Sequence, residues 1–184
     1  MRDFKKYRTY KFDEIVNSIK IPTKIQKKQY LLSGQLPIIS QEDGFINGYW
    51  NDEKDKITVK KPVIVWGDHT RVIKYVDKDF VAGADGTKVF LPKDNIYTRW
   101  LYYWMNANPV ESLGYARHYR ILKDKKIIVP SIEEQKKIVS KLDAEFEKIS
   151  RTEKLLKENL ENVDKLQKTI LSEAFKFDTD THTD

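Results

Sequence analysis

The side chains best equipped for chemistry lie in three stretches rich in amide, guanidinium, imidazole and phenol groups. Residues 41–51 hold Gln41, Asn47, Tyr49, Trp50 and Asn51; the turn at 67–74 holds His69, Arg71 and Lys74; residues 114–120 hold Tyr115, Arg117, His118, Tyr119 and Arg120. Guanidinium forks match the acceptor edge of guanine in the major groove, and Gln or Asn amides match adenine. Lys and Tyr more often grip phosphates and fix register. The chemistry expected of Gln41, Tyr49, Asn51, His69, Arg71, Lys74, Tyr115, Arg117, His118, Tyr119 and Arg120 is therefore contact with double-stranded DNA. Trp66, beside an apolar strand, reads as core, and so does Trp50. Asp85 and Lys88 read as turn residues.

Reaction chemistry is not signalled. An enzyme needs groups of tuned protonation state converging in a cleft, and the sequence nominates none. Gly83-Ala84-Asp85-Gly86 reads as a turn rather than a phosphate loop. The three histidines, His69, His118 and His182, lack zinc-ligand spacing, and there is no cysteine. Glu134-Gln135-Lys136 echoes part of a nuclease pattern, but Glu134 falls where a helix start needs it. Asn108-Pro109-Val110 does not match the Asn-Pro-Pro-aromatic motif of an amino-methyltransferase. No catalytic residue, metal or cofactor is expected.

The candidate readers need a framework. Residues 36–40, 63–66, 72–76, 80–82 and 88–91 read as short strands, with a hairpin-type turn at Asp85-Gly86 joining the last two. Helices are expected at 13–19 and 95–105, turn-rich loops at 41–56 and 114–120, and a closing apolar segment at 127–129. Short strands with interspersed helices predict an α+β, mixed and β-rich globular domain over residues 1–130.

One long helix follows, expected over 131–177. Leu142, Ile149, Leu156, Val163, Ile170 and Phe177 recur every seventh residue. A looser second column holds Ile138, Phe146, Leu160, Leu166 and Ala174, interrupted at Thr152 and Glu153. A seven-residue apolar repeat stays on one face only when the helix supercoils around a partner. Ser131 followed by Glu134 is a capping-box start. The expectation is a coiled-coil helix that dimerises through Leu142, Phe146, Ile149, Leu156, Leu160, Val163, Leu166 and Ile170. The tail, 178–184, is expected to be disordered.

Charge divides along the same boundary. Residues 131–177 carry ten basic and ten acidic side chains, whereas residues 1–130 carry 24 basic and 15 acidic ones. A basic globular part on a neutral rod suits a polyanion at one and protein at the other. No signal peptide or apolar run near twenty residues is present, so a cytoplasmic chain without a membrane contact is expected.

Several pieces, in order, resemble the specificity subunits of type I restriction–modification systems. They are Leu36-Pro37-Ile38-Ile39-Ser40-Gln41, the strand and turn 63–68, the stretch 83–87, and the junction Ile127-Ile128-Val129-Pro130-Ser131-Ile132-Glu133-Glu134-Gln135-Lys136-Lys137-Ile138-Val139. The resemblance covers nearly the whole chain, and the junction is its most specific part. It implies a target recognition domain at 1–130 and a helix that docks on methyltransferase subunits and pairs with a second helix. It also implies that adenine methylation and ATP-driven cleavage belong to partner modification and restriction subunits. S-adenosylmethionine, Mg and ATP would then belong to those partners. Full-length members carry two domain–helix units in tandem; this chain has one and resembles a half-subunit.

The implied function is a DNA specificity subunit that reads a short half-site. Through its helix it would pair with itself or with another specificity chain to recognise a bipartite site. The alternative is an interaction subunit that modulates assembly of the methyltransferase complex without reading DNA. A nuclease-associated DNA-binding module outside the type I group is a third class, since the family's recognition domains also occur fused to other methyltransferases.

Overall fold

Apolar side chains occupy every position from Val63 to Trp66, and their alternation sets the layers of the domain. Val63 and Val65 join one buried cluster, with Ile39, Ile57, Val76, Phe80, Ala82 and Val89. Ile64 and Trp66 join another, with Phe12, Ile15, Phe90, Trp100, Leu101 and Met105. Successive strand side chains point to opposite faces, so a strand buried along its whole length must be covered on both.

The computed structural model describes residues 7–83, 85–114 and 116–176. In chain order the elements are β1 (Arg8–Lys11), α1 (Phe12–Ile15), β2 (Val16–Ser18), β3 (Leu36–Ile39), β4 (Gly48–Trp50), β5 (Lys56–Ile57), β6 (Val63–Gly67), β7 (Ile73–Val76), β8 (Phe80–Ala82), β9 (Thr87–Pro92), α2 (Thr98–Ala107), α3 (Tyr119–Leu122), β10 (Lys126–Val129) and α4 (Ile132–Ala174). One four-stranded sheet has the order β2-β9-β6-β7, a second has β4-β3-β8-β5, and β1 pairs with β10. Neighbours are antiparallel except β3 and β8, which run parallel. The sheets face each other across the Val65–Phe80 cluster. Helices α1 and α2 cover the outer face of the first, and Ile25, Tyr30 and Trp50 cover the outer face of the second. The mixed, β-rich architecture followed by one long helix is as the sequence implies.

Several local expectations are corrected. The helix expected over 13–19 is a single turn, α1, because Val16, Asn17 and Ser18 pair with Pro92, Leu91 and Phe90 instead. Asp85-Gly86 does not close a hairpin. The strands on either side, β8 and β9, belong to different sheets, so the turn carries the chain from one layer to the other. The helix expected from residue 95 starts at Thr98, and the last two residues of the loop expected over 114–120 begin a helical turn, α3. The basic N-terminal segment supplies a strand, β1, whose Arg8 lies opposite Val129.

The described chain divides into two compact units between residues 139 and 140. The first therefore includes the start of α4, where Gln135 and Val139 are buried. The expected capping box is present: Ser131 Oγ accepts the Glu134 N–H at 3.3 Å, and Glu134 Oε2 accepts the Ser131 N–H at 3.3 Å. In the second unit, α4 runs on without a break. Its 43 residues span about 65 Å at 1.5 Å per residue. Phe177 and the tail 178–184 lie outside the described residues.

Candidate nucleic-acid interface

Gln41 lies two residues past β3, and its amide draws two turns to it. Its Nε2 donates to the Asp85 carbonyl at 2.7 Å, and its Oε1 accepts the His69 N–H at 3.2 Å. Its backbone N–H donates to Thr87 Oγ1, and its carbonyl accepts from Thr70 Oγ1 at 2.6 Å. The turns at 67–72 and 83–87 are thereby bound to the end of β3. A Cβ at Gly86, whose φ is +89°, would lie 2.6 Å from Gln41 Oε1 and 2.7 Å from the His69 ring. Only glycine fits there without strain.

His118 and Tyr119 join this end through Asp68, which is itself buried. Asp68 Oδ1 accepts the Tyr119 N–H at 2.7 Å, and the Asp68 carbonyl accepts the His118 N–H at 2.9 Å. The His118 ring lies between that carbonyl, 2.9 Å from Nδ1, and the Leu113 N–H, which donates to Nε2 at 3.0 Å. That pattern requires the proton on Nδ1. Tyr119 stacks on Phe90, and the Lys88 ammonium sits 4.6 Å over the Tyr119 ring and 3.9 Å from Asp68 Oδ2.

Cations gather at the same end. Burial and then the like charge of Lys88 push the Lys24 ammonium below the ordinary lysine range; Arg117 acts in the same sense, while Asp85 and Asp68 oppose it. Lys24 thus feels Lys88 and Arg117 along with two carboxylates. Crowded like charges of this kind are relieved by an incoming anion.

The side chains singled out in the sequence separate into those that face solvent and those that build the end. Arg117 and Arg120 are exposed, and His69 and Tyr119 are half-buried. Gln41 ties the end together through both of its amide atoms and is only half-buried. His118 is corrected: its ring is wholly buried and both nitrogens are used. Lys74 is a second correction. It is buried, its Nζ donates to Asn47 Oδ1 at 3.0 Å, and burial pulls its pKa down to about 8. Arg71, with a φ of +64°, turns its guanidinium inward to the Val110 carbonyl at 3.3 Å.

Tyr49 pairs with Pro37 on β4, and Asn51, which accepts the Gln35 N–H at 3.0 Å, lies at the opposite end of the β3–β4 ladder from Gln41. The structure does not bring Asn51 to the cluster. Tyr115 lies outside the described residues. Trp50 is structural as expected, its Nε1 donating to Asp55 Oδ2 at 2.8 Å. Sequence reading missed Lys24 and Lys88. Lys88 follows Gly86-Thr87 by one residue on a strand, a position that points it outward at the turn; nothing local marks Lys24.

On the second unit, Phe146, Ile149, Leu156, Leu160, Val163, Leu166 and Ile170 are about half or more exposed, and Leu142 is partly so. Leu155 and Leu171 are exposed as well and widen the stripe beyond the strict repeat. Among the described residues no cluster of His, Cys, Asp and Glu could hold a metal ion, and no helix is long and apolar enough to cross a membrane.

Comparison with known proteins bears on the family and the fold. The family described as "Type I restriction modification DNA specificity domain" matches residues 5–162. The EcoR124I/EcoR124II type I restriction enzyme specificity subunit of Escherichia coli is 34% identical over 95 residues, covering 49% of this chain and 24% of that protein. A chain from a structural study of assembly and conformational transition in a type I R-M system superposes with a TM-score of 0.71 at 20% identity, over 94% of this chain and 46% of that one. The HsdS subunit from Thermoanaerobacter tengcongensis gives 0.61 at 18% identity, over 94% and 45%. The match spans less than half the length of each of these relatives. Over most of its length, from the basic end to well along α4, the chain belongs to the type I restriction–modification DNA specificity domain family.

Proposed function

We propose that this chain is a DNA-reading specificity unit that selects a short half-site and catalyses nothing itself. The observation that carries this reading is the end tied by Gln41, where Lys88 sits over Tyr119 beside Asp68 and Arg117 and Arg120 are exposed. Arg117 and Arg120 reach base edges, and Lys24 and Lys88 hold phosphates; His69 and Tyr119 line the approach. Arg-to-guanine contacts discriminate by about 1–3 kcal/mol each, while the phosphate contacts set salt-dependent affinity.

The exposed stripe on α4 supplies the second half of the role. It pairs antiparallel with the same stripe on a second copy or on another specificity chain, so that two basic ends read a bipartite site. The same helix docks modification subunits, with restriction subunits joining them, and S-adenosylmethionine, Mg and ATP are used by those partners. EcoR124I/EcoR124II supports this reading as a relative whose description is that of a specificity subunit.

The test is to express the chain with its modification subunit and map methylated adenines across a genome. The expected result is a defined bipartite motif that disappears when Arg117 and Arg120 are both replaced by Ala. A motif unchanged by that pair of substitutions would leave the chain as an assembly subunit and remove the reading role.

A further inference from the structure

Between β3 and β4 the chain makes a tight loop whose tip is apolar and exposed. Phe45 is 54% and Ile46 46% exposed, immediately after Gly44 at φ +78°. The loop is built to hold that tip still. Asn47 Oδ1 accepts from the Ser40 N–H, the Ser40 hydroxyl and Lys74 Nζ at 3.0, 2.9 and 3.0 Å. Asn47 Nδ2 donates back to the Asp43 and Gly44 carbonyls at 2.7 and 3.3 Å, and Ser40 Oγ accepts the Glu42 N–H. One amide therefore clasps both stems and the shoulder of the loop. Two large apolar side chains are displayed on a rigid frame, so little ordering entropy remains to be lost on contact.

The tip belongs to the same loop as Gln41. Four residues of chain can span at most about 14 Å, so Phe45 lies within that reach of Gln41, which is bonded to the turns at Asp85 and His69. A nucleic acid held at that end would meet the tip. Its neighbours decide which part it meets. Glu42, paired with Lys27 at 3.1 Å, and Asp43 put two carboxylates at the base of the tip. These are repelled by phosphates and by the narrow, strongly negative minor groove. In the major groove they have partners, the N4 donors of cytosine, and apolar side chains there meet the thymine methyl.

We infer that Phe45 and Ile46 form an apolar reading tip that packs against a thymine methyl group in the major groove of the half-site. The inference rests on the DNA-reading function proposed above and adds a source of specificity that no hydrogen-bonding side chain provides.

The experiment uses the complex of this chain with its modification subunit. The probes are duplexes carrying the mapped methylation motif, with deoxyuridine replacing thymidine at one position at a time. That change removes only the methyl group. Burying one such group is worth about threefold to fivefold in affinity. The wild-type complex should therefore bind one singly substituted duplex about that much more weakly, whereas Phe45→Ala and Ile46→Ala should bind the thymidine and deoxyuridine duplexes alike. Equal binding of both duplexes by the wild type, or discrimination retained in both variants, overturns the inference and leaves the DNA-reading function intact. A DNA bend lost in Phe45→Ala without any thymine dependence also overturns it, because the tip would then be a wedge between base steps. If no methylation motif is found, both the parent reading and the tip fail together.

Discussion

The side-chain oxygen of Gln135 accepts the backbone N–H of Tyr97 at 2.7 Å, while its Nε2 donates to the carbonyls of Asn95 and Pro130 at 2.9 Å. One fully buried amide in the first turn of α4 thus satisfies backbone groups from the lead-in to α2 and from the end of β10. Beside it, Glu134 caps the helix and accepts the Tyr7 hydroxyl at 2.6 Å. Consecutive residues in the Glu-Glu-Gln junction therefore do different work, one starting the helix and the next fastening its start to the globular unit.

Replacing Gln135 by Leu should fill its space but orphan those three backbone groups. Buried donors and acceptors left unpaired cost about 1–3 kcal/mol each, and partial hydration at the exposed Asn95 reduces the sum. We expect a loss of about 2–4 kcal/mol in urea denaturation, with an unchanged m-value. A loss below about 0.5 kcal/mol would mean the fastening is carried by Val139 and its apolar neighbours instead.

Gln41 and the two exposed arginines should separate stability from binding. Gln41→Ala removes the bonds to Asp85 and His69 and should lower stability by about 1–2 kcal/mol, weakening DNA binding only as its turns loosen. Arg117→Ala and Arg120→Ala should leave the urea midpoint within about 0.5 kcal/mol of the parent. Each should either reduce the salt dependence of binding by about one charge or cost about 1–3 kcal/mol at one base position. Fluorescence anisotropy at several salt concentrations, with denaturation on the same preparations, reads both.

Lys74 predicts a pH effect of definite sign. Burial lowers its pKa from 10.5 to about 8 in the folded chain, with Asp43 and Glu42 opposing the shift. Between those values the unfolded chain holds the proton that the folded chain has released, so stability should rise with pH from about 8 to 10.5. Below that window both states are protonated and the burial penalty is fully felt. Lys74→Met should remove this contribution. The wild-type urea midpoint, measured relative to that variant, should climb between pH 7.5 and pH 9.5; a flat difference would show that the ammonium is well solvated.

The fold was legible where one strand or helix carries its own pattern. Val63 to Trp66 announced a buried strand, and Ser131 with Glu134 announced the helix start, because composition and spacing at those places suffice. The pairing of β3 with β8, and the separation of β8 from β9, could not be read there, since sheet partners are chosen by tertiary packing. The site was legible in composition but not in role. His118 and Lys74 have the functional groups of DNA readers, yet those groups are spent on Asp68 and Asn47. A polar side chain in a loop is as useful for holding the loop as for reaching out of it, and burial alone tells the two apart.

The stripe on α4 gives the last prediction. Ile149, Leu156 and Val163 are each half exposed or more on a continuous helix, and covering the exposed half of such side chains is worth about 1 kcal/mol apiece. Replacing all three with Asp puts like charges into the proposed seam, so a self-associating chain should sediment as a monomer, with the globular unit still folded by circular dichroism. Removing one whole heptad instead keeps the stripe in phase and shortens the helix by about 10 Å, or about three base pairs at 3.4 Å each. Paired antiparallel, two such chains should direct methylation by the modification subunits to the same half-sites at a spacing reduced by that amount, because the bases are chosen at the basic end and the distance by the helix. An altered half-site at constant spacing would assign the helix no part in setting the distance.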